Sequence, residues 1–198
     1  MEEQKQETLH DGNSELAERM SNEFLGSVNS EKFTNTISVP EMELVSPISI
    51  EGCYCEDIFP DEVEEVYALA AEMIKFCVSK NGIGLAAPQI GIPKKFFVWL
   101  DGDKWSLSIN PKYFPDGNKK VDLFERCLSY KEPYKVNRFK AITGVYYTID
   151  GNSGELMKVS RKLSKDKAWV FQHETDHLFG KTIRTEGISL HKKEILHR

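Results

Sequence analysis

The residues with the clearest chemical potential lie in FQHETDHLFG, Phe171 to Gly180, which contains His-Glu-x-x-His. On an α-helix His173 and His177 share one face, so both imidazoles can reach one metal ion. Glu174 follows the first histidine directly, where a carboxylate can serve as general base on water. The flanking Trp169, Val170, Leu178 and Phe179 are apolar. The helix therefore reads as buried, and buried histidines need partners. A catalytic centre of this type takes three protein ligands. The extended pattern H-E-x-x-H-x-x-G-x-x-H holds as far as Gly180 and then fails, because Ile183 stands where a third histidine would be. Glu186 and Glu194 are downstream carboxylates, with little chain left to present them. Upstream, Cys127 in ERCLSY offers a thiolate, and one thiolate with two imidazoles suits Zn2+ or Fe2+. Spacing leaves these alternatives open.

A second stretch, GIGLAAPQIG from Gly82 to Gly91, fits the dinucleotide fingerprint G-x-G-x-x-A. Its context is wrong for that role. It follows the end of a helix rather than a strand, and Pro88 sits where a nucleotide-binding helix should be running. Cys53-x-Cys55 could form half of a thiolate metal site, but no second such pair exists among the four cysteines. They read as small, half-buried side chains, and Cys77 as part of a core.

The elements that must position these residues are legible from Pro60 onward. Asp61 is placed to cap a helix whose stripe runs through Val63, Val66, Tyr67, Ala70, Met73, Ile74 and Cys77, with Asn81-Gly82 as its stop. KKFFVWL and WSLSIN flank Asp101-Gly102 as a hairpin. KKVDLF leads into Cys127, and AITGVYYTI and ELMKVS flank a DGNSG turn. A last long helix starts near Ser164, carries Trp169 to His177 and stops at Gly180. One helix, several antiparallel strands and one further helix predict an α+β fold. Residues 1–45 are polar, with a weak helical pattern through Leu16, Met20 and Phe24; they read as a flexible tail ahead of a catalytic domain over 46–198. The alternative is an appended helix that docks.

Bulk properties narrow the class. The chain has 198 residues, 40% of them hydrophobic, enough for one domain with a real core. The net charge of −5 gives no general affinity for DNA. No apolar run approaches the roughly 18 residues a spanning helix needs, so no membrane association is expected. The acidic N-terminus lacks the features of a secretory or mitochondrial leader. A cytoplasmic protein with reduced thiols is expected.

Three stretches, GIGLAAPQIG, then Glu-x-Cys-Leu-Ser in ERCLSY, then QHETDHLFG, resemble the three motifs of peptide deformylase in the family's order. The resemblance spans about residues 46 to 188 and excludes the N-terminal segment. It implies antiparallel sheets packed around a central metal-binding helix, with one further long helix near the domain start. It implies Cys127, His173 and His177 as metal ligands and Glu174 as general acid/base. Gln89 and the Leu128 backbone N–H would hold the oxyanion, and Gly82 and Gly84 would let substrate backbone lie close. The implied cofactor is one divalent ion, typically Fe2+, with Zn2+, Ni2+ or Co2+ also accommodated. The implied reaction removes the formyl group from formyl-methionyl nascent peptides, in transient proximity to the ribosome. The basic C-terminal segment LHKKEILHR is short for ribosome docking. Trp169 and Val170 are expected as walls of a methionine pocket. Glu125 is expected beside the substrate or as an anchor, with Arg138 as its partner. Arg126 replaces the glycine usual in the second motif, beside the substrate backbone.

Overall fold

The computed structural model describes residues 2–28 and 41–189, with side chains from Asn13 onward. It contains α1 (Glu2–Leu25), α2 (Pro47–Ile50), α3 (Val63–Ser79), α4 (Lys165–Leu178) and α5 (Ile183–Glu186). Its strands are β1 (Gly84–Ala86), β2 (Phe96–Asp101), β3 (Lys104–Pro115), β4 (Lys120–Cys127), β5 (Tyr130–Phe139), β6 (Ala141–Ile149), β7 (Leu156–Ser164) and β8 (Gly187–Ser189). They form two antiparallel sheets, one ordered β1-β2-β3-β6-β7 and the other β4-β5-β8. The α+β expectation holds.

Helix α3 buries the stripe read from the sequence: Val63, Val66, Tyr67, Ala70, Met73, Ile74 and Cys77 are all inside. Its entry differs from expectation. Pro60–Glu62 form a 3-10 turn, and the Phe59 N–H donates to Glu62 Oε2 at 2.9 Å, so Glu62 rather than Asp61 stands at the helix start. Asn81 ends the helix with φ of 58°, a left-handed value that asparagine tolerates.

Of the two readings of residues 1–45, a flexible tail or a docked helix, the described part has the form of the second: α1 packs along α3, while residues 29–40 lie outside the described residues. Ala17, Ser21 and Phe24 face inward at helical spacing. The Ser21 hydroxyl donates to Ala71 O at 2.9 Å, and the Tyr67 hydroxyl donates to Phe24 O at 2.8 Å. The rings of Phe24 and Tyr67 lie 4.9 Å apart. Small residues on both helices, Ala17, Ser21, Ala70 and Ala71, let the backbones approach closely. The sequence pattern was weak because this face is small rather than strongly apolar.

Helix α4 packs against strands of both sheets. Ser164 precedes it with extended backbone, and Gly180 follows it with φ of 69°. Phe171 is fully buried against Phe97, Trp99 and Tyr146 of the larger sheet, with centroids 5.2, 5.5 and 5.4 Å away. At about 100° per residue, His173 and His177 then point roughly 200° and 240° away from Phe171, toward the smaller sheet. One aromatic anchor thus orients both imidazoles. β5, which the sequence reading did not anticipate, pairs with β4 and supplies Arg138 beneath the site.

Candidate metal centre and its cleft

Strand β4 ends at Cys127, and a register shift between Glu125 and Cys127 marks where its pairing with β5 becomes irregular. Cys127, His173 and His177 converge, with one ligand atom from each lying within 4.8 Å of the others. Cys127 Sγ is 3.4 Å from His177 Nε2. The outer nitrogens are committed elsewhere. His173 Nδ1 donates to Glu125 Oε2 at 2.9 Å, and His177 Nδ1 donates to Lys181 O at 3.1 Å. Each Nε2 is thereby left available as a ligand, and that of His177 faces the thiol, as metal-ligating histidines require. Burial and the neighbouring His173 hold the His177 imidazole well below its usual range, which favours the neutral, ligating form.

The alternative carboxylate ligands do not join this group. Glu186 pairs with Lys181 at 3.4 Å, and Glu194 lies outside the described residues, as does the basic C-terminal segment. Cys53 and Cys55 lie 3.6 Å apart, and no third ligand completes a site there among the described residues. Cys77 sits behind the cleft, its thiol donating to Gly84 O at 3.3 Å.

Glu174 is buried, and its Oε2 has no hydrogen-bond partner among the described residues. Burial pushes its carboxyl up to about 7; the opposing pull of His173 is smaller. An orphaned carboxylate oxygen beside a thiol and two Nε2 atoms fits a site built around a divalent ion and its water. The donor set, one thiolate and two imidazoles, suits Fe2+ or Zn2+.

Gln89 is held at both ends. Its Oε1 accepts from Ala86 N at 2.8 Å, and its Nε2 donates to Ser129 Oγ at 3.0 Å and toward Cys127 Sγ at 3.4 Å. Gly91, with φ of 80°, ends the 3-10 turn that presents it. A Cβ on Gly84 would collide with the Glu174 carboxyl. A Cβ on Gly82 would come within 2.6 Å of Cys77 Sγ and 2.9 Å of Leu128 Cδ1. Both positions demand glycine because protein atoms already fill the space.

Glu125 lines the cleft, but both its oxygens are spent. Arg138 Nε donates to Oε1 at 2.7 Å and Nη2 to Oε2 at 2.9 Å, while His173 shares Oε2. Burial works against the charged carboxylate, yet Arg138 and His173 outweigh it and hold Glu125 down at about 2. Within the described residues its carboxylate anchors Arg138 and His173, the anchoring role expected from the sequence. The Arg138 pairing expected from sequence is present. Arg138 Nη1 also donates to Asp176 Oδ2, and the Tyr113 hydroxyl donates to Asp176 Oδ1 at 3.3 Å. The sequence reading missed Asp176, Tyr113 and Ser129. Asp176 lay in view between Glu174 and His177, and a second acid beside a buried histidine was its signal.

These groups open onto a cleft of about 830 Å³. Leu128, Trp169 and Val170 line it, as do Gly82, Gly84 and Arg126. Trp169 and Val170 also pack against the Phe171 core, so they are at once core and wall.

Residues 53–193 match the family model for polypeptide deformylase. A curated peptide deformylase of Endomicrobium trichonymphae is 39% identical over 125 residues, covering 61% of this chain and 71% of its own length. The Plasmodium falciparum peptide deformylase crystal structure superposes with a TM-score of 0.65 at 28% identity, covering 78% of this chain and 91% of its own. The Thermotoga maritima peptide deformylase gives 0.63 at 29% identity, with 76% and 99% covered. The chain belongs to the polypeptide deformylase family. Its reaction is the hydrolytic removal of the N-formyl group from nascent polypeptides. Among the described residues no helix is long and apolar enough to cross a membrane.

Proposed function

We propose that Cys127, His173 and His177 hold one divalent ion, Fe2+ in the cell, and that Glu174 carries out proton transfer in the deformylation of formyl-methionyl chains. Zn2+, Ni2+ and Co2+ suit the same donors. The observation that carries the reading is the buried, unpartnered Glu174 Oε2 in the cleft that Cys127 and His173 also line. The ion supplies Lewis acidity, which acidifies water and polarises a carbonyl. Glu174, with a carboxyl pushed up to about 7, takes the proton from the attacking water at neutral pH and returns it to the leaving amine. Gln89, with Oε1 held by Ala86 N–H and one Nε2 hydrogen by Ser129, would turn its other Nε2 hydrogen from Cys127 Sγ to the oxygen that becomes negative. The Leu128 N–H, next in the chain after Cys127, is the second donor. Glu125 and Lys181 keep the two histidines in their ligating orientation.

Trp169 and Val170 form an apolar wall for the methionine side chain. The tight contact between Gly84 and Glu174 restricts the acyl group to the size of formyl. The substrates are nascent chains in the cytoplasm, met close to the ribosome. Formate release from formyl-Met-Ala-Ser by anaerobically purified protein tests the reading. Turnover at about one ion per chain, with Glu174→Gln lowering it about 10²- to 10⁴-fold while the ion is retained, is expected. A fully loaded protein without turnover would sink it.

A further inference from the structure

We infer that the mouth of the cleft selects formyl-methionyl chains with an acidic side chain shortly after the methionine, and that Arg126 and Lys80 bind that carboxylate. The inference rests on the deformylase reading and deepens it. Both residues line the cleft. They lie on two segments that touch where Gly82 meets Leu128, each cation two residues before its contact partner. Two positive charges are thereby placed on one stretch of rim.

Neither acid that lines the same cleft offsets this rim. Glu125 is neutralised by Arg138, with side chains 10% and 5% exposed, and Glu174 is buried on the floor. Arg126 is exposed and has no carboxylate within ion-pair distance among the described residues. Lys80 lies 5.5 Å from the centre of the Phe76 ring and likewise has no carboxylate partner there. The chain carries a net charge of −5, so this cationic rim runs against the overall sign. An acidic peptide would be repelled by most of the surface and drawn to this edge.

The chemistry of the pair suits a carboxylate. Arg126 offers a planar fork that can take both oxygens, and Lys80 adds a compact charge. Phe124 and Ile83, 69% and 54% exposed, give the same rim apolar surface for the stem of the incoming side chain. A family glycine at position 126 could offer none of this, which makes the selectivity a property of this chain.

The test compares kcat/KM for formyl-Met-Ala-Ser, formyl-Met-Asp-Ser and formyl-Met-Lys-Ser, and for the same exchange at the third residue. The expected order is acidic over neutral over basic, with a span of about three- to tenfold between acidic and neutral at low salt. The span should shrink at about 0.5 M salt, because exposed charges are screened. Arg126→Glu should reverse the order, and Arg126→Lys should keep part of it. Equal kcat/KM for the three peptides, with good turnover of the neutral one, would overturn the inference and leave the deformylase reading standing. An acidic preference that survives Arg126→Glu would overturn the role of Arg126. Failure of all peptides in a metal-loaded protein would overturn both readings together.

Discussion

Replacing Arg138 by methionine should damage both the stability of the protein and its metal centre. Arg138 is 4% exposed and holds two buried carboxylates, Glu125 and Asp176, whose side chains are 10% and 8% exposed. Methionine fills much of the volume but leaves both acids without a counter-charge. Breaking a buried pair by removing one partner costs about 3–5 kcal/mol, because the remaining charge is stranded in a poor solvent. For a chain of this size 1 kcal/mol moves Tm by about 2–4 °C, so a fall of about 6–20 °C is expected by calorimetry. Tyr113→Phe is the internal control. It removes one long hydrogen bond of 3.3 Å to the same Asp176 and should cost only about 0.5–1.5 kcal/mol. A second readout separates this account from general damage. Glu125 holds His173 in place, so loss of its anchor should weaken ion binding about 10- to 100-fold in competition with a chelator. Adding Glu125→Gln to Arg138→Met should recover part of the stability, since one stranded charge is then removed. A Tm within about 2 °C of the parent, or a double variant less stable than the additive sum, would refute the reasoning.

Three further changes test other parts of the structure. Gly84→Ala should retain the ion yet lower formate release about 10²-fold, because the new methyl displaces the Glu174 carboxyl; parent-like activity would show that Glu174 has room to move. Burial disfavours the Asp101 carboxylate, but Lys167 and Arg161 outweigh this and hold it below its ordinary 3.8. Its stabilisation is therefore complete above the unfolded-state value and is lost as pH falls through the lower folded value. Asp101→Asn should be less stable than the parent at pH 7, with the gap in Tm closing below about pH 4. A gap that widens in acid would contradict that sign. Phe24→Ala should cost about 3–5 kcal/mol in denaturant unfolding, since Phe24 is 7% exposed against Tyr67; a loss below about 1 kcal/mol would show that α1 is not part of the folded unit.

Local chemistry and the strongly periodic elements are legible in the residues alone. His173, Glu174 and His177 had to share a helical neighbourhood, because spacing on a helix sets which side chains coincide. The stripe of α3, the hairpin at Asp101-Gly102 and the glycine stop at Gly180 follow from short-range patterning. The resemblance of three short motifs then pointed to Cys127 and Gln89, which no local rule connects to that helix.

Contacts between residues far apart in the chain set the rest. Whether Cys127 or a downstream glutamate stands beside the histidines is set by Phe171, which turns α4 so that its imidazoles face β4. The duty of Glu125 follows from β5 carrying Arg138 beneath it, a pairing between strands rather than along one. The docking of α1 was weakly written because its inner face relies on Ala17 and Ser21, whose small size matters only once another helix lies against them. The pH at which Glu174 exchanges its proton is likewise a property of the finished fold. Burial shifts a carboxyl according to what surrounds it, and here α4, β4 and β5 supply His173, Glu125 and Arg138 around it.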